Sequence, residues 1–143
     1  MFKKILVRYD GSPEAKKALK LGLNLAKNTG SECHLVRVVK KPESVPDIEA
    51  FHNEVAKELA FIDKELIGAR FIAGQEGLEL LTHTVLGDSY EALKNFAQKG
   101  QFDLVVVTPK MESRLKDKLF SNYVENLLHD SKIAILVVRF ETV

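Results

Sequence analysis

Glycine is missing from the last part of the chain. All eight glycines lie at or before Gly100, and residues 101–143 contain none. Cysteine occurs once, as Cys33, which excludes an intramolecular disulfide and suits a cytoplasmic setting. No apolar run approaches the roughly 18 residues of a membrane-spanning helix, so no membrane partner is expected. The opening Met-Phe-Lys-Lys-Ile-Leu-Val is too short an apolar run for a secretory signal. Neither charge is in excess: 21 Lys and Arg face 20 Asp and Glu, for a net charge of +1. Nucleic-acid binders usually carry a strong basic bias, so no nucleic-acid partner is expected. The four histidines, His34, His52, His83 and His129, lack metal-ligand spacing, and each reads as a surface or half-buried residue.

What is present suits one globular domain over residues 1–143. A chain of about 150 residues buries about 68–70% of its unfolded surface, enough for a full core. Short apolar runs recur: Ile5-Leu6-Val7, then 35–39 interrupted by Arg37, then 80–86, Leu104-Val105-Val106-Val107, and 133–138. Runs of this β-rich, largely continuous kind suit strands buried on both faces of a parallel sheet.

Helical patterns lie between them. Ala15, Ala18, Leu19, Gly22, Leu23 and Ala26 fall on one helix face. Ser12-Pro13-Glu14 opens that helix with a capping hydroxyl, a proline at the first position and an acid at the positive end. Gly30 supplies the stop. A second helix, after a linker-like loop at 40–46, aligns Ile48, Phe51, Val55, Leu59, Ile62 and Leu66. Residues 68–77 fit either an extension of that helix or a loop. A third helix starts near Asp88, with Glu91 as a capping-box partner and Tyr90, Leu93 and Ala97 as its buried face. A fourth starts near Ser121 or Asn122 and buries Val124, Leu127 and Leu128. The order is β-α-β-α-β-α-β-α-β. This predicts an α/β fold, a single open, doubly wound sheet of five mainly parallel strands with helices on both faces.

In such sheets ligands sit beyond the carboxyl ends of the strands, where the strand order reverses. The candidate loops are Tyr9-Asp10-Gly11-Ser12, the residues after Val38, Leu86-Gly87-Asp88-Ser89, and the long segment 108–122. The last carries Lys110, Arg114, Lys116 and Lys118 against Glu112 and Asp117. It reads either as a phosphate clamp or as a solvated loop of mixed charge. The chain has no Gly-x-Ser-x-Gly, Gly-x4-Gly-Lys-Ser/Thr, Cys-x-x-Cys or His-Glu-x-x-His motif, so an enzyme is the less favoured reading. A two-component receiver would share the alternation, but Leu86-Gly87-Asp88 is a poor substitute for its phospho-acceptor.

Lys3-Lys4-Ile5-Leu6-Val7, Asp10-Gly11-Ser12 and Ala18-Leu19 resemble the opening of the universal stress protein family. His34-Leu35-Val36-Arg37-Val38-Val39, Val85-Leu86-Gly87-Asp88, Asp103-Leu104-Val105-Val106-Val107 and Ile135-Leu136-Val137-Val138-Arg139 continue the likeness in order. The resemblance implies a Rossmann-like sheet and a homodimer, often paired through the last strand. It also implies ATP or AMP as a candidate ligand, since many members bind ATP and others do not. By the same resemblance Asp10 matches the acid that faces the ribose, and Val38 matches the apolar position near the adenine. Gly87 matches a glycine after the third strand. Arg8 stands where the family often has proline.

In ATP-binding members the loop after the fourth strand carries Gly-x2-Gly-x9-Gly-Ser/Thr. A gapless placement puts its three glycines on Thr108, Met111 and Ser121, and its last position on Asn122. All three glycines are absent. Glycine lets backbone N–H groups close on a phosphate and permits positive φ. A non-glycine in that geometry costs on the order of 1–3 kcal/mol. Pro109 also removes an N–H donor. The resemblance therefore implies a small-ligand-binding or regulatory protein of the stress response that does not bind ATP through the usual glycine motif. The alternative keeps nucleotide binding through a divergent loop, with Asp10, Lys110 and the Ser121–Asn122 helix start as contacts.

Overall fold

The structure is a computed structural model that describes residues 2–42, 44–87, 89–109, 124–125, 127–129 and 132–139. Its regular elements are β1 (Lys4–Arg8), α1 (Pro13–Thr29), β2 (Glu32–Val39), α2 (Ile48–Gln75), β3 (Leu80–Leu86), α3 (Ser89–Lys99), β4 (Leu104–Val107) and β5 (Ala134–Val137). The five strands form one sheet in the order β3-β2-β1-β4-β5, and every pairing is parallel.

The continuous apolar runs have a direct cause. Ile5, Leu6 and Val7 are each fully buried, as are Val106 and Val107, because β1 and β4 are covered on both faces. Ile5, Val7, Leu35, Leu104 and Val106 pack with α1 and α2. Leu6, Val36, Val105 and Val107 pack with Leu93 and Ala97 of α3 and with Leu127. Gly22 lets α1 approach the sheet, since a Cβ there would stand 2.7 Å from Val7 Cγ2.

Local chemistry sets the start and stop of α1. Ser12 is extended, at φ −68° and ψ 159°, and its Oγ accepts from the Ala15 amide at 3.1 Å. Pro13 follows, and Gly30 ends the helix at φ 68°. At the amino end of the sheet, Asp103 receives the amides of Lys3 and Lys4, each at 2.9 Å. Burial opposes its charge, but these bonds outweigh burial and hold the Asp103 carboxyl below its usual range.

α2 runs through Gln75, so of the two readings of 68–77 the helix extension holds for most of it. The expected faces of α2, α3 and the last helical segment need correction. Ile48 and Leu59, expected on its buried side, are 77% and 38% exposed. A 28-residue helix is about 42 Å long, whereas the eight residues of β2 span about 26 Å. The first half of α2 therefore lies largely off the sheet, and burial begins at Ile62 and continues at Leu66, Ala69 and Ala73. Tyr90 of α3 and Leu128 are likewise exposed, while Leu93, Ala97 and Leu127 are buried as expected.

The histidines are not all surface residues. His34 on β2 and His83 on β3 stack with ring centroids 5.1 Å apart, and His34 Nδ1 lies 2.8 Å from His83 Nε2. Glu32 Oε1 is 3.1 Å from His34 Nε2. Phe102 packs edge-on to His34, Phe96 of α3 covers His83, and Lys4 Nζ lies over the Phe102 ring. The bond between the rings needs one donor and one acceptor, so double protonation breaks it. Burial, then His34, then Lys4 lower the His83 pKa. The unfolded chain takes up that proton first, near about pH 6.5, so the contribution to stability is complete above that value and lost as pH falls through the folded pKa. Urea unfolding is expected to show a lower midpoint at pH 5 than at pH 7, with a smaller drop in His83→Gln; an equal drop removes the histidine pair as the cause.

Candidate ligand site at the strand switch

The order β3-β2-β1-β4-β5 reverses direction at β1: the chain moves outward to β2 and β3, then returns to β4 on the other side. In sheets of this kind ligands bind beyond the carboxyl ends of the strands that flank such a reversal, here β1 and β4. Tyr9 lies two residues beyond Val7, Thr108 two beyond Val106, and Val7 and Val106 are paired. Val38 lies two beyond Val36, the partner of Arg8, which brings it level with Asp10. The structure thus places Asp10, Val38 and Thr108 around one switch point. Lys110, Ser121 and Asn122 lie outside the described residues.

Each of the three has a distinct environment. Asp10 Oδ1 accepts from the Ser12 amide at 3.0 Å and from the Ser12 hydroxyl at 2.6 Å. This closes the turn into α1, which Gly11 passes at φ 77°. Asp10 therefore stabilises the turn through its own side chain. Val38 packs at the edge of the α3-side core, beside Val85. Thr108 is only 6% exposed, and its Oγ1 is fully buried without a hydrogen-bond partner among the described residues. A buried hydroxyl left unpaired costs about 1–3 kcal/mol. Arg8 ends β1 in a half-buried position. Gly87 takes φ 153°, and its amide donates to Val39 O at 2.9 Å.

Sequence reasoning passed over a second layer behind this turn. Glu65 of α2 lies against Gly11, where a Cβ would come within 2.8 Å of its Cδ and Oε2. Arg37 Nε stands 3.4 Å from Glu65 Oε2. Burial, then Glu65, then Asp10 raise the Tyr9 pKa, and Arg37 partly offsets them. The signal was present: Arg37 is the one charged residue inside the apolar run of β2. The lone thiol is inert, since burial pushes Cys33 up to about 12. No group of three His, Cys, Asp or Glu side chains suited to a metal occurs among the described residues.

Comparison with known proteins gives one family. The universal stress protein family matches residues 1–139. Universal stress protein YxiE of Bacillus subtilis is 28% identical over 97% of this chain and 100% of its own length. The structure of universal stress protein UspA from Lactobacillus plantarum superposes with a TM-score of 0.81 at 20% identity, covering 96% of this chain and 98% of that one. A universal stress protein solved in complex with cAMP superposes with a TM-score of 0.73 at 22% identity, covering 96% and 97%.

Thr108→Val removes the hydroxyl that lacks a partner among the described residues while keeping its shape. Without ligand, the variant is expected to match or exceed the parent in stability, by up to about 3 kcal/mol, in urea unfolding. A loss above 1 kcal/mol would mean that the hydroxyl is paired in solution.

Proposed function

This chain belongs to the universal stress protein family, and we propose that it is a regulatory protein of the stress response that binds an adenine nucleotide by its nucleoside end. The base packs against Val38, and Asp10 accepts from the ribose hydroxyls while it closes its turn. The phosphate receives no help from the usual three glycines, because Thr108 and, in the segment outside the described residues, Met111, Ser121 and Asn122 replace the motif. The ligand is therefore a monophosphate, AMP or a cyclic form, in preference to ATP. The observation that carries this reading is the Thr108 hydroxyl, buried at the strand switch without a partner among the described residues, beside a turn already held by Asp10. A polar atom in that state is satisfied by a ligand or by water. The relative with cAMP bound supports the ligand class.

Calorimetry with AMP, cAMP and Mg-ATP tests the proposal. AMP or cAMP is expected to bind at least about tenfold more tightly than ATP, a difference of 1.4 kcal/mol. Asp10→Asn keeps an acceptor for the Ser12 bonds and so retains the turn, yet should weaken AMP binding by removing the charged acceptor. Tighter binding of ATP than of AMP would overturn the monophosphate reading, and unchanged AMP affinity in Asp10→Asn would remove Asp10 from the site.

The partner is proposed to be a second copy. β5 is at one edge of the sheet, with Ile135, Leu136 and Val137 only half-buried, and an apolar edge needs cover or a partner. No described helix is long and apolar enough to cross a membrane, and a cytoplasmic homodimer joined along this strand is the arrangement we favour. Light scattering at micromolar concentration should give twice the 16.1 kDa chain mass; a monomer would refute the dimer.

A further inference from the structure

α2 carries a second stripe that its own domain does not use. The buried side of the helix is Ile62, Leu66, Ala69 and Ala73. Away from that side, Phe61, Ile67 and Phe71 are 61%, 62% and 67% exposed. Lys57, Ala60, Lys64, Ile67, Phe71 and Gly74 are all exposed and follow one another at steps of three and four residues. That spacing gathers them into one row over about five turns, and it is the a/d spacing of a seam between two helices. The outer side of a surface helix is normally polar, so large apolar side chains on such a row call for cover.

The flank of the row shows which occupant fits. Asp63 and Arg70 each stand one residue before a row position, Lys64 and Phe71, so the two lie on the same flank one heptad apart, and both are exposed. In an antiparallel helix pair each flank meets the same flank of the partner, and charges there set orientation. Two antiparallel copies of α2 therefore bring Asp63 of each copy to Arg70 of the other, which makes two ion pairs about one twofold axis. Arg70 also donates to Thr82 Oγ1 at 2.8 Å, which uses one of the five donors of a guanidinium.

The same register matches sizes. Phe71 of each copy falls opposite Ala60 of the other, and Phe61 falls opposite Gly68. A Cβ at Gly68 would meet nothing within 4 Å among the described residues, so packing within the chain does not demand glycine at this unfavourable mid-helix position. Lys64 falls opposite Ile67, where its stem covers apolar surface and its ammonium reaches water. A parallel pair would instead set Lys57 on Lys57 and Lys64 on Lys64, with no partner for Asp63.

We propose that the outer face of α2 binds the same face of a second copy of this chain, antiparallel, about a twofold axis between Glu65 and Leu66. The contact is isologous and independent of both the nucleotide reading and the β5 edge. One helix pair is small beside the roughly 800 Å² per partner of a standard interface, so a Kd of about 10–100 µM is expected.

Sedimentation equilibrium of the full chain from about 1 to 500 µM brackets that Kd and tests the proposal. The mass is expected to double across this range, whatever the β5 edge contributes at the low end. Asp63→Arg and Arg70→Asp each set like charges across the axis, and each should weaken the doubling at least about tenfold. Mixed in equal amounts, the two variants should regain it, because one then carries only cations on the flank and the other only anions. Neither substitution touches β5, so the mass at low concentration should stay that of the parent, which separates failure of this contact from failure of the strand dimer. Far-UV circular dichroism checks that each variant is folded. A mass that does not rise up to about 500 µM would mean that the face is solvated or serves a different partner, and the proposal fails. It fails equally if either single variant associates as well as the parent, or if the mixture does no better than its components.

Discussion

The two-sided burial of the β1–β4 pair is the constraint on which the rest depends. Ile5, Leu6 and Val7 face both layers at zero exposure, and they pair directly with Leu104, Val105 and Val106. The two strands are almost a hundred residues apart in sequence, so the chain must return across the sheet to join them. That return creates the reversal of strand order, and the reversal marks the carboxyl-end position where such sheets bind ligands. Asp103 fixes the other end of the pair by taking the amides of Lys3 and Lys4. A displacement of β4 by one residue would turn Thr108 toward the opposite layer. The site is thus a consequence of core packing, and its position does not depend on loop chemistry.

Loop chemistry does decide what that position can hold. The β1 side keeps a compact turn, with an acid, a glycine and a capping serine in sequence. In the proposed reading, the β4 side carries larger residues at the positions aligned with the motif glycines. A phosphate would then be offered fewer backbone donors there, whereas the proposed nucleoside positions depend on residues that the fold already requires. This division is the physical basis for favouring a short phosphate over a long one.

Most of the fold was legible because strands buried on both faces leave an unbroken apolar signature and because α1 carries its own start and stop signals. The family, too, was legible in the order of its short segments. The misread face at the start of α2 has a clear cause. Periodicity shows that a helix has an apolar stripe, as with Ile48 and Leu59, but not how far the neighbouring sheet extends beneath it. Asp10 was legible as a candidate ligand contact, and the geometry adds its role in the turn. The His34–His83 pair and the Glu65–Gly11 contact were not legible, since each joins positions more than forty residues apart that carry no local motif. Arg37 was visible as an interruption in β2, but its meaning depended on a helix whose register over the sheet could not be read.

Gly11 has a consequence for how such a chain can diverge. Its positive φ and the Glu65 carboxylate against its Cα are separate obstacles to any side chain at that position. Relieving one leaves the other, so a single substitution has no easy route, and the turn that bears Asp10 is held in place by folding whatever ligand is used. Position 108 has no such double lock. One half of the proposed site is therefore fixed by the architecture, and the other is free to drift toward new ligands without endangering the domain.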